Sequence, residues 1–190
     1  DTGMLPQTAA SYMSMLASSL KWAAKRKADV PYNVIVQAME ILWEDEILAR
    51  SEERERRPSL EELDQIFNAV LANKRQKIPV ITISVFAIYS CRRLSEICRL
   101  RWSDLNVSES TILVREMKHP RKKKGNNVTV NLPPEALKII LSMPRTSEFI
   151  FPYNPRSAGT AFRRHRKLVE IEDLRFHDLR HEGISLLFEK

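Results

Sequence analysis

Cysteine and histidine are scarce in this 190-residue sequence, which contains two of the first and four of the second. No CxxC pair occurs, so we expect neither a structural zinc site nor any other metal or cofactor. Cys91 and Cys98 are seven residues apart. On a single helix that spacing places them two turns apart, too far for a disulfide. We therefore expect two small buried side chains in a reducing cytoplasm.

Long apolar runs are also missing, because charged residues interrupt every hydrophobic segment before it reaches the length of a membrane span. Hydrophobic residues nevertheless make up 43 % of the chain, which indicates a globular protein. Lys and Arg number 31 against 24 Asp and Glu, a net charge of +7. A basic excess of this size favours a polyanionic partner, either nucleic acid or an anionic membrane surface.

The positive charge is concentrated in one part of the chain. Residues 51–57 (SEERERR) contain no apolar side chain, a composition typical of an exposed linker. Residues 1–57 carry a net charge of −1 and residues 58–190 a net charge of +8. We predict a helical remnant over 1–50, the linker over 51–57 and a basic second domain over 58–190, and this placement favours nucleic acid as the partner.

Apolar residues recur every three or four positions through most of the chain, the pattern of amphipathic helices. Ser59 followed by Glu62 forms a capping box that predicts the start of the first helix after the linker. Residues 80–89 are almost wholly apolar and rich in β-branched side chains, but their length favours a buried helix over a strand. The other predicted helices start at a Thr8 cap and cover 34–48, 94–101, 133–141, 155–169 and 176–188.

The periodicity changes to that of strands in two short segments, 111–115 and 128–132. A lysine-rich turn that contains Gly125 and Asn126 separates them, which predicts an antiparallel hairpin. A further extended segment is expected over 149–151. The predicted fold class is therefore α+β, mainly helical with a small antiparallel sheet.

Two short motifs place charged groups where an anion could bind. Arg93 lies between a buried helix and the next one, where an arginine must be paired or must bind an anionic ligand. Glu96 is one turn away and could hold its guanidinium by a bidentate contact, although these two residues alone favour an ordinary intrahelical ion pair. His177 and Arg180 are three residues apart, a spacing that presents both to a single phosphate from one helix face.

Taken together, these blocks closely resemble the tyrosine recombinases of the phage integrase family. The matching features are Arg-Leu-Ser-Glu-Ile at 93–97, Leu-Arg-Trp-Ser-Asp at 100–104, the lysine-rich hairpin and His-Asp-Leu-Arg-His at 177–181. The resemblance covers about residues 58–190. Residues 8–28 more loosely resemble the end of the family's N-terminal DNA-clamping domain.

The resemblance implies a site-specific DNA recombinase that cleaves and rejoins strands by transesterification through a 3′-phosphotyrosyl intermediate. It further implies double-stranded DNA as the partner, a homo-tetramer on two DNA sites, and neither cofactor nor membrane. The expected location is the cytoplasm, at the nucleoid, in a bacterial or phage-encoded protein. A catalytically silent DNA-binding regulator and a type IB topoisomerase-like enzyme are the alternatives.

The family pattern also implies a role for each matching residue. Arg93 and Arg180 would clamp the scissile phosphate, with Glu96 orienting Arg93. His177 would assist proton transfer, and Lys118 would protonate the leaving 5′ oxygen. The remaining expected roles are support of the site by His181 and DNA contact by Lys122, Lys123, Lys124, Arg163, Arg164 and Arg166.

The chain departs from the family pattern at three points. The hairpin offers four lysines, Lys118, Lys122, Lys123 and Lys124, and Lys118 is preferred only for its position at the end of the strand. Cys91 stands where the family usually has glycine, which is expected to change the local turn but not the chemistry. The four tyrosines, Tyr12, Tyr32, Tyr89 and Tyr153, all precede His177. The nucleophilic tyrosine is therefore expected beyond Lys190, and the chain by itself is expected to be inactive in cleavage.

Neutralising Lys122, Lys123 and Lys124 together should weaken binding to all duplexes alike, because lysines on such a turn contact phosphates and not bases. The slope of log Kd against log salt concentration should flatten by about two to three units, since fewer counterions are released. A salt titration by fluorescence anisotropy measures this slope. An unchanged slope would place the DNA-binding surface elsewhere.

Overall fold

The computed structural model describes residues 3–26, 29–51, 54–118 and 125–189. The chain divides into two compact units, Asp1–Arg54 and Glu55–Lys190. The predicted DNA contacts Lys122, Lys123 and Lys124 lie outside the described residues. None of the described helices is both long enough and apolar enough to cross a membrane.

The first unit contains two helices, α1 (Pro6–Ala24) and α2 (Tyr32–Glu44), which pack against each other. The predicted cap at Thr8 is wrong, because proline is favoured in a first helical turn and the helix already begins at Pro6. The predicted end at residue 48 is also wrong. Glu46 adopts a left-handed φ of 57°, and the Leu48 N–H turns back to the Leu42 carbonyl at 2.9 Å.

The second unit carries the rest of the regular structure. Its helices are α3 (Leu60–Ala72), α4 (Val80–Ser90), α5 (Leu94–Ile97), α6 (Pro134–Ser142), α7 (Pro155–Leu168) and α8 (Asp178–Phe188). A 3-10 helix (Trp102–Asp104) precedes the strands β1 (Leu105–Asn106), β2 (Thr111–Val114) and β3 (Val128–Asn131).

Two of the predicted helices have the predicted start and character. The Ser59 hydroxyl accepts from the Glu62 N–H at 3.2 Å, while the Glu62 carboxylate accepts from the Ser59 N–H at 2.9 Å, so the predicted capping box forms. The apolar segment from residue 80 is the helix α4, and it is central to the core: Ile83, Phe86 and Ala87 have no exposed surface. The helix predicted from the length of this segment is confirmed, and the strand that its β-branched side chains favour does not form.

The predicted helix over 94–101 is wrong beyond Ile97, where α5 ends after four residues. The chain then runs alongside the extended segment near Phe149. The Ile150 N–H donates to the Leu100 carbonyl at 2.8 Å, and the Trp102 N–H donates to the Glu148 carbonyl at 3.1 Å. These tertiary hydrogen bonds replace the helical ones, which local periodicity could not reveal.

The strands form one antiparallel sheet in the order β1-β2-β3. Ile112 is the partner of Leu105 on one side and of Val130 on the other. The predicted hairpin is confirmed, although each strand ends one residue earlier than expected. The additional strand β1 has only two residues, too few for a period-two pattern to show.

Helix α8 packs tightly against α4 in the second unit. A Cβ added at Gly183 would stand 1.9 Å from the backbone oxygen of Ile88 and 3.1 Å from Cys91 Sγ. Cys91 ends α4 with a left-handed φ of 52°, whereas Cys98 ends α5. The two cysteines therefore do not lie on one helix, and both are buried and free, as expected.

Replacing Gly183 by alanine should destabilise the second unit by about 1–3 kcal/mol, because two backbones would have to separate. Gly159, in the interior of α7, provides the matched control: an added Cβ there would meet only Leu94 Cδ2, at 3.4 Å. Gly159→Ala should leave stability unchanged or raise it by up to about 1 kcal/mol through helix propensity. Urea unfolding followed by circular dichroism measures both, and equal effects would contradict the proposed close contact.

Candidate active site

Arg93 occupies the position before α5, and a buried carboxylate holds it there. Glu96 is 1 % exposed. Its Oε1 accepts from Arg93 Nη1 at 3.0 Å, and its Oε2 accepts from the Arg93 backbone N–H at 3.1 Å. The predicted bidentate contact with the guanidinium is therefore wrong: the carboxylate divides between the main chain and the side chain of the same arginine. This arrangement fixes both the start of α5 and the direction of the guanidinium.

Arg180 lies in the first turn of α8, and its guanidinium donates to the backbone carbonyl of Cys91. Cys91 is only two residues before Arg93, so this hydrogen bond brings the two distant arginines to the same place. The left-handed turn at Cys91 sets the direction of that carbonyl. Sequence reasoning singled out Cys91 for its turn but missed this contact, because a backbone acceptor has no side-chain signature.

The charges in this cluster act on one another. Burial lowers the pKa of Arg180, and the positive charges of Arg93 and Arg92 lower this pKa further, while Glu96 opposes them. The cluster thus contains the guanidinium groups of Arg92, Arg93 and Arg180 and one carboxylate, that of Glu96. An excess of positive charge at a partly buried position is stabilised by an anionic ligand.

His177 precedes α8, and its ring lies against that of His181. The two ring centroids are 5.1 Å apart and meet edge to face. Burial lowers the pKa of His177, and His181, Arg180 and Arg93 lower it further, in that order. These effects favour the neutral imidazole, the form that can accept a proton.

Asp178 fixes the turn that leads into α8. It is fully buried, and its carboxylate accepts from the Arg175 N–H at 2.7 Å. The sequence motif contained Asp178, but no role was predicted for it. Among the described residues, no group of three or more His, Cys, Asp or Glu side chains is placed to hold a metal ion. His177 and His181 therefore belong to no such group.

Lys118 is a predicted site residue that takes no part in these contacts. It is exposed and follows β2, next to Met117, whose N–H donates to the Asn126 carbonyl at 2.8 Å. In the part of the chain that the structure describes, Lys118 makes none of the contacts that join Arg93, His177 and Arg180.

The three basic residues predicted on α7 do not share one surface. Arg164 borders a groove with three further basic residues, Arg75, Lys77 and Arg156, and no acidic one. Arg163 and Arg166 border a second groove, which the acidic residues Glu170, Glu172 and Asp173 also line. Arg164 therefore lies in the more uniformly positive setting.

Sequence comparison agrees with this geometry. The profile of the "Phage integrase family" matches residues 58–190, which include both motifs and the hairpin between them. The chain belongs to the phage integrase family. The resemblance to tyrosine recombinases seen in the sequence is thereby confirmed.

Individual relatives show what share of their length the match to this chain covers. It is 30 % identical over 117 residues to the shufflon-specific DNA recombinase of Escherichia coli, a match that covers 61 % of this chain and 29 % of that protein. The fold is similar to that of lambda integrase (residues 75–356) bound to DNA, with a TM-score of 0.58 and 17 % identity over 93 % of this chain and 71 % of the other.

A second lambda integrase structure, a tetramer bound to a Holliday junction, gives a TM-score of 0.57 at 18 % identity and covers 94 % of this chain and 60 % of the other. At these identities the solved structures establish the fold alone. The predicted α+β fold, mainly helical with a small antiparallel sheet, is confirmed. The chain spans less than a third of the length of the shufflon recombinase that it matches.

The imidazole of His177 should titrate below its ordinary pKa of 6.5, because burial and neighbouring cations disfavour its charged form. His181→Gln removes one of the groups that disfavour the charged form and should raise the pKa of His177, while burial still lowers it. NMR titration of the ring carbons measures this shift. Glu148→Gln, which breaks an ion pair with Arg101, serves as the control and should leave it unchanged. No change in His181→Gln would contradict the described pairing of the two rings.

Proposed function

We propose that this chain is the catalytic portion of a site-specific DNA recombinase that cleaves and rejoins strands by transesterification. The observation that carries the proposal is the convergence of Arg93 and Arg180, from distant parts of the sequence, beside the imidazole of His177. Two guanidinium forks and an imidazole match the oxygens of a single phosphodiester. Membership of the integrase family supports the same chemistry.

In the proposed reaction, a tyrosine oxygen attacks the scissile phosphorus. The new bond joins phosphorus to the tyrosine oxygen, and the bond that breaks joins phosphorus to the 5′ oxygen. The phenolic proton passes to His177, and Lys118 donates a proton to the departing 5′ oxygen. Arg93 and Arg180 stabilise the negative charge that gathers on the phosphate oxygens, the largest electrostatic demand of the step. The covalent bond conserves the phosphodiester energy. The freed 5′ hydroxyl of a partner strand can therefore attack the phosphotyrosine, which releases the tyrosine and joins the two strands.

The nucleophile is proposed to lie C-terminal to Lys190. Of the tyrosines in the second unit, Tyr89 belongs to α4 and Tyr153 packs against the core, and neither lies in the family's nucleophile context. Residues 177–181 are proposed to present the phosphate site to that tyrosine.

Double-stranded DNA is the proposed partner, and the homo-tetramer on two DNA sites is the proposed assembly. The net charge of +8 over residues 58–190 supports DNA binding, as does the basic groove around Arg164. Lambda integrase has been solved both with DNA and as a tetramer on a Holliday junction, which supports the proposed assembly. We place the reaction in the cytoplasm, where the DNA is accessible.

The intact protein should form a denaturant-resistant covalent adduct with DNA in the presence of a chelator, whereas residues 1–190 should bind DNA and form none. Arg93→Ala or Arg180→Ala should slow adduct formation by about a hundredfold or more, the cost of removing one preorganised charge donor. Gel analysis of duplexes cut from the source genome measures adduct formation and maps the cleavage site.

Arg145→Ala provides the matched control, because Arg145 is an exposed arginine that stacks on Trp102. It should form the adduct at the rate of the unaltered protein. If the intact protein binds DNA but yields no adduct on any fragment, the chain belongs to a regulatory DNA-binding protein and the proposal fails.

A further inference from the structure

The hairpin that carries Lys118 is tied to the body of the second unit by an ion pair at its base. Arg115 follows the last residue of β2 and is three residues before Lys118. Its Nε donates to Asp104 Oδ2 and its Nη2 to Asp104 Oδ1, both at 2.7 Å. This is a bidentate fork, the geometry in which an arginine–carboxylate pair is most strongly directed.

Asp104 is well placed to act as the fixed partner. Its side chain is only 5 % exposed, whereas that of Arg115 is 46 % exposed. It ends the 3-10 helix that leads into β1, so its position is set by both elements. The guanidinium of Arg115 lowers the pKa of Asp104, which keeps this carboxylate ionised at neutral pH.

A second tie joins the hairpin base to the segment that carries Arg93. Arg99 Nε donates to the Ser95 carbonyl at 2.9 Å, inside α5. The same guanidinium lies 3.5 Å from the Glu116 carboxylate through Nη1 and donates to the Glu116 carbonyl at 3.5 Å through Nη2. Glu116 lies between Arg115 and Met117 and adopts a left-handed φ of 50°.

The two arms of the hairpin are also joined to each other just above this base. The Glu116 N–H donates to Asn127 Oδ1 at 3.0 Å, and Asn126 Nδ2 donates to the Met117 carbonyl at 3.2 Å. The arms therefore move together, and the ties at Arg115 and Glu116 control where the pair of arms points. Of these ties, the Arg115–Asp104 fork has the shorter contacts, 2.7 Å against 3.5 Å.

We infer that Arg115 is a positioning residue: its fork on Asp104 aims the hairpin so that Lys118 reaches the leaving 5′ oxygen. This inference rests on the proposed function, in which Lys118 is the proton donor. Arg115 itself does not touch the reacting atoms, and its effect passes through Glu116 and Met117, the two residues that separate it from Lys118. A proton donor misplaced by about 1 Å can lose a hundredfold in rate.

The test uses the intact protein on a duplex that carries its mapped cleavage site, with either oxygen or sulfur as the 5′ bridging atom. A sulfur leaving group departs as a thiolate and needs no proton. Arg115→Ala and Asp104→Asn should each slow cleavage of the oxygen substrate by about ten- to a hundredfold. Both should regain most of that loss on the sulfur substrate, and Arg115→Lys should lose less than Arg115→Ala.

Two controls separate this inference from the function on which it rests. Lys118→Ala should show the same rescue by sulfur, and if it does not, the proposed role of Lys118 fails. Glu148→Gln removes a different ion pair of the same region and should cleave both substrates normally. If Lys118→Ala is rescued while Arg115→Ala is equally slow on both substrates, Arg115 acts on stability or DNA binding and the inference is overturned.

The double variant Arg115→Ala/Asp104→Asn gives an independent measure. If the two residues act only as a pair, the double variant should be no slower than the slower single variant. Losses that multiply would show that the residues act separately, which would also overturn the inference.

Discussion

The close approach of α4 and α8 is the contact on which the candidate site depends. At Gly183 the two backbones leave no room for a side chain, since Ile88 O occupies the place of a Cβ. This contact places the first turn of α8 beside the end of α4. There the Cys91 carbonyl accepts a hydrogen bond from the Arg180 guanidinium. Two sequence motifs almost ninety residues apart thereby form one positive cluster. The sheet and the remaining helices of the second unit supply the buried surface that holds the two helices in place.

The electrostatics of the cluster follow from this packing. One buried carboxylate, that of Glu96, faces the guanidinium of Arg93 and is shared with the backbone of the same residue. The Arg180 guanidinium donates a hydrogen bond to the Cys91 carbonyl, which orients the guanidinium without neutralising its charge. The site thus retains positive charge in a partly buried place, a state that favours an anion. The same surroundings lower the pKa of His177, which favours the neutral imidazole that can accept a proton.

The sequence predicted those features that local pattern determines. The capping box at Ser59, the buried helix α4 and the β2–β3 hairpin follow from side chains close together in the chain, and all three form. The helix predicted over 94–101 failed beyond Ile97 because backbone hydrogen bonds to the segment near Phe149 replaced helical ones.

The site was predictable only in part, for the same reason. Motif spacing identified the charged side chains, and the structure brings Arg93, His177 and Arg180 together. The Cys91 carbonyl and the Asp104–Arg115 fork were not predicted, because a backbone acceptor and a long-range ion pair leave no periodic signal. The roles of Lys118 and of the α7 arginines remain proposals, and the two grooves along α7 give Arg164 a more positive setting than Arg163 or Arg166.

The central claim is that Arg93 and Arg180 bind the same phosphate, and a crystal structure of residues 1–190 with duplex DNA tests it most directly. The account predicts that guanidinium nitrogens of both arginines lie about 3 Å from oxygens of one phosphodiester, at hydrogen-bond distance. It also predicts that His177 lies beside that phosphate. A structure in which the two arginines contact phosphates of different nucleotides, or in which the duplex lies on another face, would contradict it.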